Sequence, residues 1–124
     1  MTGKARHETK VDHWHPATYN EMHGRTVHWG RKARLKKRDR EVVGTLYAKL
    51  PKATGRRRVS LVVVMAKGKR CPDKDAYWKS LLDALKHHGM LVDDNPKHCE
   101  PGTVTFDRSN DTYFGTRIIL EDVA

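Results

Sequence analysis

The chain has only two cysteines, Cys71 and Cys99, which excludes a disulfide-stapled scaffold. It also has no apolar run near the roughly 20 residues that a membrane-spanning helix needs. The opening Met1-Thr-Gly-Lys-Ala-Arg-His lacks the apolar stretch of a secretory signal. These absences lead us to expect a cytoplasmic protein with reduced thiols. Apolar residues make up only 37% of the 124. Such a core is either economical or completed by a partner subunit. There is no internal repeat and no low-complexity linker, and the length suits one domain.

Acidic residues are scarce where basic ones are abundant. Residues 1–70 carry 19 Lys/Arg against 5 Asp/Glu, whereas residues 71–124 carry 6 against 10. The net charge of +10 makes a polyanion the expected partner, DNA or RNA before an anionic membrane. The first half is suited to holding phosphate. The second half concentrates carboxylates.

The polar, His-rich residues 1–18 carry little pattern and read as a flexible N-terminal arm or an extended lead-in, with residues 19–124 forming the single domain. A short hairpin around Gly24 is expected within residues 19–29. From Arg31 to Lys49 an apolar stripe of Leu35, Val42, Val43, Leu46 and Tyr47 predicts a helix, ended by Pro51 and Gly55. The β-branched run from Val59 to Ala66 predicts a buried central strand. A second helix is expected over Asp75–His88, with Asp73 or Asp75 as N-cap and Gly89 at its C-terminal turn. Residues 102–107 and 113–121 read as an antiparallel pair joined at Ser109-Asn110-Asp111. The expected class is α/β (α+β), a small mixed β-sheet packed with two main helices.

Seven cations lie between Arg31 and Arg40, with Asp39 their only acidic counterweight. Arg31, Lys32, Arg34, Lys36, Lys37 and Arg38 are therefore candidate phosphate contacts. Arg56, Arg57 and Arg58 form a second candidate clamp before the predicted strand. Trp14, Trp29, Tyr19 and Tyr47 are candidates to stack on exposed bases, although Tyr47 also fits the core stripe. Cys71, His87, His88, His98 and Cys99 lack the paired spacing of a zinc site.

Between Cys71 and Asn95 the chain gathers Asp73, Asp75, Asp83, Asp93 and Asp94. Clustered carboxylates raise one another's pKa, so a protein that gathers them usually has a cation to bind. Asp75, Lys79 and Asp83 are four residues apart and share one helical stripe. A turn at Gly89 would let Asp94 return toward Asp73 and Asp75, a set of hard oxygen ligands suited to Mg²⁺ or Mn²⁺. The plainer alternatives are helix caps for Asp73 and Asp75 and a surface pair for Lys79 and Asp83.

The order Pro72-Asp73-x-Asp75, Lys79, Asp83-Ala-Leu, Gly89 and Asp93-Asp94 resembles the RusA family of Holliday junction resolvases. The resemblance covers residues 71–95 and extends weakly to Tyr19-Asn20 and the basic helix. It implies a homodimer that cuts paired strands at four-way DNA junctions with Mg²⁺, in recombination and repair. It also implies metal-binding carboxylates at Asp73, Asp75 and Asp94, a catalytic lysine at Lys79 and supporting carboxylates at Asp83 and Asp93. Such proteins are expected at the nucleoid or from phage and prophage genomes. Ala76 stands where the family usually has Asn, and Asn95-Pro96 where it has Gln-Val. These departures keep open a second reading, a non-catalytic basic protein that binds branched or duplex nucleic acid.

Overall fold

The computed structural model describes residues 6–18, 29–66, 74–109 and 112–123, without the side chains of Lys74 and Asp75. The expected hairpin around Gly24 lies outside the described residues. The elements in chain order are β1 (Arg6–Asp12), α1 (Trp29–Leu46), β2 (Arg57–Val64), a 3₁₀ turn (Lys74–Tyr77), α2 (Trp78–His87), β3 (Cys99–Asp107) and β4 (Gly115–Asp122). Together they make a small mixed α+β fold of one four-stranded sheet and two helices. Among the described residues no helix is long and apolar enough to cross a membrane.

β2 sits at the centre because its sequence leaves no face for water. In Arg57-Arg-Val-Ser-Leu-Val-Val-Val64, five residues are buried in addition to Arg57, and the other two are half-buried. Such a strand needs partners on both edges to satisfy its amides and carbonyls. It pairs in parallel with β3 and antiparallel with β4, while β1 pairs antiparallel with β4, giving the order β1-β4-β2-β3. The parallel β2–β3 pair requires a crossover, and α2 supplies it. Pro101, which cannot donate a ladder hydrogen bond, is tolerated because β3 is an edge strand.

Two expectations are corrected here. β3 and β4 are both strands, but they do not form a hairpin with each other, because β2 lies between them and takes a ladder from each. Placing β2 on an edge would have left a row of its buried backbone groups unpaired. Where it is described, the expected arm is also part of the fold. Residues 6–12 form β1, with His7, Thr9 and Val11 turned toward the helices and Arg6, Glu8, Lys10 and Asp12 exposed. Trp14, Pro16 and Ala17 then bury themselves beyond it. The mixed polar sequence of β1 suits an edge strand, since charge blunts edge-to-edge association.

Val59, Leu61 and Val63 of β2 and Ile118 and Leu120 of β4 share one sheet face. They form a single core with Val43 of α1, Tyr47 just after it, and Leu81, Ala84 and Leu85 of α2. Each fully buried aliphatic side chain here contributes about 1.5–3 kcal/mol by removal from water. The helices lie side by side. Gly44 permits this, because a Cβ there would collide with the His88 ring, whose Nε2 lies 2.6 Å from the Arg40 carbonyl. As expected, α2 ends at Gly89, in the left-handed region at φ +75°.

The Tyr47 hydroxyl lies 2.8 Å from the Thr9 hydroxyl, joining the C-terminal end of α1 to β1. Burial is the main cause that pushes its pKa up to about 12, against partial relief from Thr9 and Arg57. A phenol whose pKa is higher in the folded than in the unfolded chain stabilises the fold fully below about pH 10. That contribution is lost as pH rises through 12, a total of about 2–3 kcal/mol. The melting temperature is expected to fall between pH 10 and 12, and Tyr47→Phe to flatten that decline. An unchanged alkaline slope in the variant would show that Tyr47 does not titrate with unfolding.

Candidate functional site

β1, β2 and β3 all end at one edge of the sheet, at Asp12, Val64 and Asp107, where β4 begins at Gly115. The head of α2 lies at this edge. Tyr77 is buried there, its ring 6.2 Å from that of Phe106 and 6.3 Å from that of His15, and His15 Nε2 lies 2.9 Å from the Val64 carbonyl. Asp75 falls in the 3₁₀ turn leading into α2. It is not the N-cap of α2: the cap position is Tyr77, which makes no side-chain cap hydrogen bond. Asp73, the other cap candidate, lies outside the described residues, as do Cys71, Tyr19 and Asn20. Lys79 is exposed and forms no ion pair with any described residue.

Asp83 is engaged elsewhere. Its carboxylate accepts from Arg40 at 3.0 and 3.3 Å and lies 3.9 Å from Lys36 Nζ, so it ties α2 to α1.

Asp93 and Asp94 sit at the opposite end of α2. The Met90 carbonyl accepts from Arg57 Nη1 and the Gly89 carbonyl from the Ala53 amide. The Cys99 amide donates to Asn95, and Cys99 pairs in register with Arg57 at the start of β2. Asp93 is capped by its surroundings: the Asp94 amide at 2.7 Å, Lys86 Nζ at 3.1 Å and Asn95 Nδ2 at 3.2 Å. The Asp94 backbone amide, then Lys86, hold the half-buried Asp93 carboxyl below its usual range, and Asp93 in turn raises Lys86. At 1.5 Å per residue, the ten-residue α2 puts about 15 Å between head and tail.

This separation sets Asp94 at the opposite end of α2 from the turn that holds Asp75, where a convergence with Asp73 and Asp75 was expected; Asp73 lies outside the described residues. Mg²⁺ holds oxygens at about 2.0–2.1 Å, so carboxylates sharing one ion lie within roughly 5 Å of each other. Asp94 therefore does not fit a ligand set with Asp75 inside one chain. Among the described residues no group of three His, Cys, Asp or Glu is placed to hold a metal. Cys99 is buried in the core, where desolvation raises its thiol pKa, and His98 Nδ1 lies 2.9 Å from Asn95 Oδ1.

The basic residues sort into two kinds. Arg57 is no phosphate clamp: it is buried, donates from Nε to Asp122 at 2.7 Å, and also donates to the Met90 and Pro51 carbonyls. The reason is register. β2 starts at Arg57, two residues earlier than expected, and alternation turns it inward with Val59 and Leu61. Arg58 turns outward to Glu100 at 3.3 Å and Glu121 at 4.0 Å, and Arg56 is half-buried. On α1, Lys37 pairs with Glu41 and Arg38 with Asp39. Arg31, Lys32 and Arg34 are exposed, and the last two form no ion pair with a described residue.

Asp39 meets Ser80, Arg40 meets Asp83, and Gly44 meets His88, so the two helices run in the same direction. The first two turns of α1 thus extend past Ser80 and beyond the start of α2. Arg31, Lys32, Arg34 and Lys79 give that end a positive surface. If this surface meets nucleic-acid phosphates, replacing both Lys32 and Arg34 by Gln should reduce the slope of log K against log salt by about 2. Binding measured from low to moderate salt checks this, and an unchanged slope would remove both side chains from the interface.

Asp39 is the functional-end residue that pattern reading passed over. It is fully buried within α1 and accepts from Trp14 Nε1 at 3.1 Å, the Ala17 amide at 2.8 Å, Ser80 Oγ at 2.7 Å and Arg38. It joins three segments at the head of α2. The signal was present: Asp39 falls on the apolar stripe with Leu35 and Val43, where a carboxylate must find donors.

No family model matches the chain, and no curated protein matches it in sequence.

Proposed function

We propose that the chain is a Mg²⁺-dependent, structure-selective endodeoxyribonuclease that resolves four-way DNA junctions by symmetric paired nicks, acting as a homodimer. The observation that carries this reading is that Arg31, Lys32 and Arg34, on the turns of α1 that run past Ser80, and Lys79, in the first turn of α2, are all exposed toward the end of the helix pair where the turn holding Asp75 lies. Cations that face solvent beside carboxylates suit a scissile phosphate, whose developing negative charge Lys79 would offset from a fixed position. Asp73 and Asp75 would hold Mg²⁺ or Mn²⁺ there, an ion that lowers the pKa of water and polarises phosphoryl oxygens when bound. Asp83 supports the same end by fixing α1 against α2. Asp94 can serve such a centre only from a second copy, since α2 separates it from Asp75 within one chain. Two strands cut symmetrically call for a two-fold dimer in any case. An enzyme of this kind would work in recombination or repair, at the nucleoid or on phage or prophage DNA.

The distance between Asp94 and Asp75, together with Ala76, favours a second reading: a non-catalytic basic protein that holds branched or duplex nucleic acid. Cleavage of a labelled four-way junction with Mg²⁺ or Mn²⁺, beside linear duplex, separates the two. Paired nicks confined to the junction support the nuclease. Salt-sensitive binding with no product under any divalent ion supports the binding protein.

A further inference from the structure

Where the strands end, six rings form a row: Tyr113, His13, Phe114, His15, Tyr77 and Phe106, with successive centroids 5.9, 5.3, 5.4, 6.3 and 6.2 Å apart. The inner end is closed, with Tyr77 buried. The outer end is open: His13 is exposed and Phe114 is 38% exposed, one of three large apolar side chains facing solvent among the described residues. The outer rings are held in place. The His13 amide donates to the Phe114 carbonyl at 2.9 Å, and the Tyr113 hydroxyl donates to Asp12 at 2.5 Å. His13 adopts φ +56°, the only non-glycine described residue in the left-handed region. An L-residue held there costs free energy, and such outliers collect at binding sites.

Cations flank the row. Lys10 Nζ lies 5.0 Å from the centre of the Tyr113 ring, and Arg108 and Arg117 are exposed at the same edge. The two nearby carboxylates are already engaged, Asp12 by Tyr113 and Lys10, and Asp107 by the Ser109 amide and hydroxyl. Flat rings with solvent-facing surfaces and positive charges beside them match a nucleobase with its phosphate. An aliphatic protein partner would need neither the rings' polar edges nor the cations.

We infer that His13, Tyr113 and Phe114 form a platform on which an unpaired nucleobase stacks, with Lys10 and Arg117 beside its phosphate. The inference rests on the nucleic-acid part of the proposed function and adds what that part leaves open, a preference for unpaired over fully paired strands. Of the aromatic residues picked out in the sequence, Trp14 and Tyr47 are buried in the core and Trp29 is exposed on α1, whereas His13, Tyr113 and Phe114 were not among them.

The test is equilibrium binding of the full chain to labelled oligothymidine and to a blunt duplex of equal length. Stacking is worth about 1–3 kcal/mol per base, roughly 5- to 150-fold. Phe114→Leu, which keeps apolar bulk but loses the ring, is expected to weaken oligothymidine binding at least about fivefold. Duplex binding and melting temperature should be unchanged. Phe114→Trp should bind as the parent does, and oligothymidine should quench the added indole emission where duplex does not. Parent-like oligothymidine binding by Phe114→Leu, equal weakening toward duplex, or an unquenched indole would overturn the inference. Binding of duplex but not oligothymidine by the parent chain would also overturn it and leave the nuclease reading standing. Ring-dependent binding without junction cleavage would sustain it while the nuclease reading fails.

Discussion

Asp39→Ala is expected to lower stability by about 3–5 kcal/mol, as does breaking other buried charged networks, and the melting temperature by about 10–20 °C. The carboxylate is fully buried and accepts from four donors on three segments. Alanine strands the Trp14 indole N–H, the Ala17 amide and the Ser80 hydroxyl, and each unsatisfied buried donor costs about 1–3 kcal/mol. Arg38 is partly exposed and loses little, because water replaces its partner. Asp39→Asn should cost less. Its amide NH₂ can donate to Ser80, whose hydroxyl rotates to accept, while its oxygen still serves a backbone or indole N–H. Urea or thermal unfolding of both variants measures this. A melting temperature within a degree or two of the parent for Asp39→Ala would show that the network does not hold the fold.

On the proposed function, Asp75→Asn is expected to abolish junction cleavage while leaving salt-sensitive DNA binding intact. Loss of a partner that merely orients a metal ligand costs about 10- to 100-fold, so loss of a ligand should cost at least about a hundredfold. Asp94→Asn should do the same, although α2 holds Asp94 at the far end from Asp75. If Asp94 acts from the partner subunit, mixing the two inactive variants should restore nicking. In the mixed dimer one centre carries both substitutions and the other carries neither, so one strand is cut and paired resolution stays lost. Gel assay of the products reads the three cases. Full activity of Asp94→Asn would mean that Asp73 and Asp75 suffice. Two inactive variants that stay inactive when mixed would refute the cross-subunit placement, and loss of DNA binding in either would count against the nuclease reading itself.

Much of the architecture was legible in local pattern. The apolar stripe of α1 marks the helix that forms from Trp29 to Leu46, and the β-branched run marks β2 as central. Gly89 stands where α2 must end, in a conformation that costs glycine little. Lys79 is exposed on α2, on a different face from the buried Leu81 and Leu85. These features depend on neighbours a few residues away, where helical or strand period states which side is buried.

Other features depended on partners remote in sequence. The polar segment from Arg6 to Asp12 has too few apolar residues to declare a strand, and becomes one because β4 offers an open edge. Arg57, Arg58 and the α1 cations look alike as basic residues. Asp122, Glu100 and Glu121 decide which are spent inside the fold, and Asp122 lies 65 residues from Arg57. Asp75 and Asp94 are close along the chain, but the β2–α2–β3 crossover carries them to opposite ends of α2.

Taken alone, then, the amino-acid order determined the charge asymmetry, the two helices, the central strand and the absence of a disulfide framework, because these follow from composition and short-range periodicity. Tertiary structure alone decided strand order, the burial of Arg57 and Asp39, the row of rings at the sheet edge and the separation of Asp94 from Asp75. Each of those is set by which distant backbone and side-chain groups meet once water has been excluded between them, and no local period encodes that.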